Sequence, residues 1–143
     1  MSPNQINAYE KYNDIVIVDT TSKTNQFDMM LMLIIAVDNN FRNIIVAAAI
    51  LEDETEATFT WVLQELKNSC DVTPTVLYSD ADPALISVMK KNYPETRHFH
   101  YIFYIDLNLR KKLKGKLHNQ SESFCAKFLA MRNSLCQKKF ETE

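Results

Sequence analysis

Apolar runs separated by polar breaks divide the front of the chain into short segments with strand-like patterns. Four consecutive aliphatic residues at 15–18 predict a strand that is buried on both faces. The apolar runs 29–37 and 44–51, separated by Asp38, Asn39 and Asn40, predict a β-hairpin in which asparagine supplies the unusual backbone angles. We therefore expect the first three strands to form an antiparallel meander.

Helical spacing begins after the third predicted strand. Acidic residues at 52–56 precede the first helix and suit the positive end of its dipole, and Trp61 lies at the margin of its apolar face. The residues of that face are Phe59, Val62, Leu63, Leu66 and Cys70. Residues 76–78 predict a fourth strand. Because this strand is reached through a helix, the crossover rule favours parallel pairing with an earlier strand.

The second helix has a predicted start and end. Asp82 and Pro83 suit the N-cap and first helical position, and the helix stops before Pro94. Residues 97–101 predict a short fifth strand. Two further helices follow, and their apolar positions are Ile102, Ile105, Leu109, Leu113 and Leu117 in one, and Phe124, Phe128, Met131 and Leu135 in the other. We interpret the apolar face of the last helix as core or as a docking face.

The order β-β-β-α-β-α-β-α is typical of the ribonuclease-H-like α/β fold, a mixed sheet in which a three-stranded antiparallel meander is joined by parallel strands and flanked by helices. We place the core of this domain at 14–118. Residues 1–13 are polar and are expected to form a poorly packed lead-in, whereas 119–143 form a helical extension of a domain truncated at its C-terminus.

Composition agrees with one globular domain. The chain has 143 residues, of which 46% are apolar and 24% charged. It shows no apolar run long enough for a transmembrane helix and no signal peptide, and its three cysteines lack CxxC spacing. These features predict an intracellular protein with reduced thiols. With Gly115 as the only glycine, turns should rely on Asn and Asp.

Charge is distributed unevenly along the chain. Residues 1–96 carry 6 basic and 14 acidic side chains, whereas residues 97–143 carry 10 basic and 4 acidic ones. An acidic front suits cation binding, and a basic back could face an anionic polymer, although a basic helical face can equally be a solvated surface. The candidate phosphate-contacting residues are Lys23, Arg110, Lys111 and Lys114.

Two carboxylates follow buried strands and are the main candidates for chemistry. Asp19 ends the first predicted strand and Asp80 ends the fourth. Asp19 could simply start a turn, because Asp is a common turn former. In a ribonuclease-H-like fold, however, these two strands are neighbours about 4.8 Å apart, so both carboxylates could hold divalent cations. Such cations activate a water or 3′-hydroxyl and stabilise the leaving oxygen of a phosphodiester.

Other candidates are weaker. His98 and His100 have metal-like spacing, but without a Cys or acid partner a structural role is favoured. Ser79 lacks the glycines of a nucleophile elbow. A nuclease that uses Asp38 or Asp82 as an additional acid ranks low, because Asp38 suits a hairpin turn and Asp82 suits a helix cap.

The chain resembles the Mutator-like element (MULE) transposase domain over roughly residues 10–118. The similar blocks, in family order, are 18–27, 37–40, 53–55, 59–61, 79–85 and 93–98. The resemblance implies a DDE-type catalytic domain that cleaves and transfers DNA strands with Mg²⁺ or Mn²⁺, with Asp19 and Asp80 as the first two catalytic and metal-binding acids. It also implies DNA partners (transposon ends and target), homo-oligomers of a full-length form, no membrane association and a nuclear location.

The sequence departs from the family pattern in three places. The family's Cys and Trp-His positions are occupied by Tyr101, Phe103 and Tyr104, and the upstream zinc-binding region is absent. The third acid is not identifiable, although Glu122, Glu141 and Glu143 are available. A fragment, a decayed element copy or a truncated gene model would explain all three. The alternative is a non-catalytic DNA- or protein-binding module, similar to the far-red-response transcription factors of plants.

Overall fold

The computed structural model describes residues 1–21, 26–101, 105–106, 109–113 and 121–132. The chain divides into two compact units, Met1–Tyr101 and Ile102–Glu143. Among the described residues, no helix is both long and apolar enough to cross a membrane.

The first unit is built on a five-stranded mixed sheet with the order β3-β2-β1-β4-β5. The β1-β2 and β2-β3 pairs are antiparallel, and the β1-β4 and β4-β5 pairs are parallel. This arrangement confirms the predicted meander and its parallel extension. The strand bounds are β1 Ile15–Thr21, β2 Met30–Val37, β3 Asn43–Leu51, β4 Val76–Ser79 and β5 Arg97–His100.

The predicted loose lead-in at 1–13 is wrong, because helix α1 (Pro3–Lys11) forms there. Ser2 and Gln5 make a reciprocal capping box that satisfies amide groups at the start of the helix, and Pro3 occupies its first turn. Tyr9 is fully buried in the core. The polar composition did not indicate this helix, because Tyr9 is its only fully buried side chain.

Two helices of the first unit follow their predicted patterns. Helix α2 (Glu56–Ser69) buries Phe59, Val62, Leu63 and Leu66 and leaves Trp61 56% exposed at the margin. Helix α3 (Pro83–Asn92) buries Leu85, Val88 and Met89. An ion pair between Lys91 Nζ and Glu56 Oε2, 2.6 Å long, joins the two helices.

The hairpin turn between β2 and β3 is organised by Asp38, as predicted. Its Oδ1 accepts hydrogen bonds from the amides of Asn40 and Arg42, and its Oδ2 accepts one from Arg42 Nε. The prediction that asparagine supplies the left-handed angle is wrong, because Phe41 has φ of 59°. The carboxylate binds both flanking amides and so places the left-handed residue just before β3.

In the second unit, residues 105–106 and 109–113 are helical, and helix α4 spans Ser121–Arg132. Cys125 is buried, and Phe128 and Met131 are half-buried. Phe124 is 44% exposed, so it is not part of a core with them. Ile102, Leu117 and Leu135, also predicted to lie on apolar helix faces, lie outside the described residues.

Candidate metal-binding site

The pairing of β1 with β4 brings the two candidate acids to the same level of the sheet. The parallel register pairs Ile17 with Tyr78. Two residues further on, the same register sets Asp19 level with Asp80, the first residue after β4. Asp19 lies within β1 and not at its end as predicted, because the strand continues to Thr21. Neighbouring strands lie about 4.8 Å apart, and residues level with each other in a parallel pair point to the same face. Both carboxylates therefore lie on one side of the sheet.

Burial along the strands identifies that side. Val16 and Val18 of β1, and Leu77 and Ser79 of β4, are buried in the face that packs against the helices. Because side chains alternate between faces, Asp19 belongs to the opposite, less buried face, and the register places Asp80 with it.

Electrostatics shows that the two acids interact. Burial raises the pKa of Asp80 above its ordinary value, and the negative charges of Asp82 and Asp19 raise it further. A hydrogen bond from the Asp82 amide and the positive charge of His100 act in the opposite direction. The site thus concentrates negative charge in a partly dehydrated place, which a bound cation would relieve.

The turn after β4 holds Asp80 between two anchored neighbours. On one side, Asp82 donates its amide to Asp80 Oδ1 at 3.3 Å. The Asp82 carboxylate in turn caps α3 by accepting the Leu85 amide at 2.9 Å, which confirms its predicted role. On the other side, Ser79 is the last residue of β4, and its carbonyl accepts a hydrogen bond from the Tyr101 amide.

A contact between Ser79 and His98 was not anticipated from the sequence. The Ser79 hydroxyl lies 2.7 Å from the Asp80 carbonyl oxygen and 2.8 Å from His98 Nε2. The signal available was the strand alternation, since Leu77 and Ser79 share the core face and His98 pairs with Leu77 in β5. Burial lowers the pKa of His98, and the charges of His100 and Lys90 lower it further, which favours a neutral ring.

Asp19 and Asp80 are two candidate ligands, and the described residues do not complete a metal cage around them. Nowhere in residues 1–21, 26–101, 105–106, 109–113 or 121–132 do three His, Cys, Asp or Glu side chains converge as a possible metal cage. His98 and His100 stand with ring centroids 6.0 Å apart in an edge-to-face arrangement. Glu122 is exposed on α4, whereas Glu141 and Glu143 lie outside the described residues. Asp19 and Asp80 offer the hard oxygen donors that Mg²⁺ or Mn²⁺ requires, so they fit part of such a site.

The candidate phosphate-contacting residues differ in whether their side chains are exposed or already in an ion pair. Arg110 Nε is bonded to Asp106 Oδ2 at 2.7 Å, and this hydrogen bond raises the pKa of Arg110. Lys111 is exposed. Lys23 and Lys114 lie outside the described residues.

A cavity of about 230 Å³ lies apart from the acids, between edge strand β3 and helix α2. Its lining includes Ala47, Ala49, Trp61 and Leu66. Strand β3 is separated from β4 by β2 and β1, so the cavity does not belong to the acidic site.

A mixed five-stranded sheet of this order, flanked by helices, defines a domain with the ribonuclease-H-like fold. The MULE transposase domain model matches residues 15–108, and the chain belongs to this family.

Similar proteins include two from Arabidopsis thaliana. FAR1-RELATED SEQUENCE 10 is 25% identical over 124 residues, which cover 86% of this chain and 18% of that protein. FAR-RED IMPAIRED RESPONSE 1 is 27% identical over 121 residues, which cover 84% of this chain and 14% of that protein. The chain therefore spans less than a fifth of the length of these relatives. Among solved structures, the catalytic core domain of BIV integrase aligns with a TM-score of 0.45 and 15% identity, covering 80% of this chain and 79% of that one.

Proposed function

We propose that the chain is part of the catalytic domain of a Mutator-like DDE transposase, which cleaves and transfers DNA strands with Mg²⁺ or Mn²⁺. The observation that carries the proposal is the register of β1 with β4, which sets Asp19, within β1, level with Asp80, directly after β4. The chain's membership of the MULE family supports it. The third ligand of the full site would come from a residue outside the described ranges.

In this proposal Asp19 and Asp80 bind the cation side by side and supply two negative charges. A divalent cation there would lower the pKa of a bound water or hydroxyl and stabilise charge on the phosphodiester. Lys111 would contact DNA phosphates, because it is exposed. Lys23 and Lys114, which lie outside the described residues, remain candidate phosphate contacts on the basis of the sequence. The partners would be transposon ends and target DNA, a full-length form would assemble as a homo-oligomer, and the protein would act in the nucleus.

A plasmid-nicking assay with Mn²⁺ or Mg²⁺ tests the activity. We expect metal-dependent nicking by the wild-type chain, and its loss in Asp19→Ala and Asp80→Ala. Asp82→Asn is the matched control. It alters a neighbouring acid but retains helix capping, since Asn caps about as well as Asp, and it should keep the activity. Equal nicking by wild type and Asp80→Ala would refute the catalytic proposal.

A second candidate is a non-catalytic DNA- or protein-binding module. It is favoured because no three His, Cys, Asp or Glu side chains of the described residues come together as a possible metal cage. The similarity to FAR-RED IMPAIRED RESPONSE 1 also supports this candidate. DNA binding that is unchanged by EDTA, together with absence of nicking at any metal concentration, would favour this candidate over the first.

A further inference from the structure

We propose that Ser79 and His98 are a positioning pair that orients Asp80 for cation binding. The inference rests on the proposed function, because it assigns a role to residues that contact the backbone of a proposed metal ligand. It concerns three groups that two hydrogen bonds connect, namely the His98 ring, the Ser79 hydroxyl and the Asp80 peptide carbonyl.

The direction of the two hydrogen bonds follows from the number of protons. The Ser79 hydroxyl has one hydrogen, and the carbonyl of Asp80, 2.7 Å away, can only accept it. The hydroxyl must then accept from His98 Nε2, 2.8 Å away, so the ring carries its proton on Nε2. Both bonds are satisfied only with this tautomer.

The location of the pair allows it to restrict the backbone conformation of Asp80. Strand β4 ends at Ser79, so Asp80 is the first residue beyond the regular sheet. Its carboxylate receives one hydrogen bond, of 3.3 Å, from the Asp82 amide. The serine hydroxyl holds the carbonyl of the peptide that follows the Asp80 Cα, which limits rotation of the backbone that carries the carboxylate. A ligand held in place before binding loses less conformational freedom when the cation arrives.

Burial of Ser79 keeps its hydroxyl bonded to His98 and to the Asp80 carbonyl rather than to water. Ser79 is fully buried, so solvent cannot replace its partners. The His98 ring is half-buried on the core face beside it. Removing the ring's donor would leave the serine hydroxyl with a single partner and free it to turn away from the Asp80 carbonyl. The metal ligand would then lose its support without losing its carboxylate.

Mn²⁺ affinity, measured by isothermal titration calorimetry well below the unfolding temperature, tests the inference. Ser79→Ala should weaken Mn²⁺ binding by about 10-fold, a typical effect for residues that support a metal ligand. His98→Gln and His98→Asn form a matched pair. The Gln amide nitrogen reaches the position of Nε2 and should keep affinity within about 2-fold, whereas the Asn amide reaches only the position of Nδ1 and should weaken binding by about 10-fold. A purely structural role would change the unfolding temperature of both variants and leave the affinities equal.

The outcomes separate this inference from the proposed function. Wild-type affinity in both Asp19→Ala and Asp80→Ala would refute the metal site itself. Lost binding in those two variants, with wild-type affinity in Ser79→Ala and His98→Asn, would refute only the positioning pair. Equal weakening by His98→Gln and His98→Asn would also refute it, because the Nε2 donor would not then be what matters.

Discussion

Two buried tyrosines of the first unit should respond in opposite ways to loss of the same atom. The Tyr93 hydroxyl donates to the Leu63 carbonyl at 2.8 Å. The Tyr9 hydroxyl is buried and has no hydrogen-bond partner among the described residues. Burial raises the pKa of Tyr9, with smaller contributions from Tyr93 and Cys70, and raises that of Tyr93 to about 12, so both are protonated at neutral pH.

The magnitudes follow from the partners of each hydroxyl. An unsatisfied buried hydroxyl costs about 1–3 kcal/mol, so Tyr9→Phe should increase the free energy of unfolding by about 1 kcal/mol. Tyr93→Phe removes a satisfied hydrogen bond and should decrease it by about 1 kcal/mol. The two variants should therefore differ by about 2 kcal/mol, although each loses one oxygen from the same core.

Urea unfolding followed by circular dichroism, with Trp61 fluorescence as a second probe, measures both values. The dependence of the unfolding free energy on urea should be unchanged, because the surface exposed on unfolding is nearly the same. A loss of 1 kcal/mol or more in Tyr9→Phe would refute the reasoning, since it would mean that the hydroxyl is hydrogen-bonded in solution.

Three further predictions concern the turn before β3 and the basic residues of the second unit. Phe41 has φ of 59° and is 89% exposed, so Phe41→Gly should remove backbone strain of about 1 kcal/mol; an unchanged or lower unfolding temperature would contradict this. Hydrogen bonding from the Arg42 amide lowers the pKa of Asp38 in the folded protein. The ionised carboxylate therefore stabilises the fold at pH values above the pKa of Asp in the unfolded chain, about 3.9, and this contribution is lost as the pH falls through the lower pKa of the folded state. Acid unfolding of Asp38→Asn should lack that part of the pH dependence, and an identical acid profile would count against it. Lys111→Ala should reduce the slope of the logarithm of DNA affinity against the logarithm of salt concentration by about 1. Arg110→Ala should reduce this slope less, because Arg110 is already in an ion pair with Asp106, and equal slopes for the two variants would contradict this.

Most of the fold was predictable because local pattern and tertiary packing agree. The apolar runs of β2 and β3 and the 3–4 spacing of α2 each place their residues on a face that the core can bury. The polar helix α1 was missed because its stability depends on capping and on Tyr9 entering a core built by distant strands. The left-handed angle at Phe41 was missed for a similar reason, since the Asp38 carboxylate and not residue preference decides it.

For the candidate site, the sequence by itself determined that an acid lies in or directly after each of two buried strands. It also determined that Asp82 is used as a cap, because an N-cap followed by proline is a local pattern. Only the tertiary structure decided that Asp19 and Asp80 are level on one face, since that depends on the register between strands about 60 residues apart. It also decided that His98 lies within hydrogen-bonding distance of Ser79, because alternation along each strand assigns both residues to a face but does not set which residues of the two strands meet.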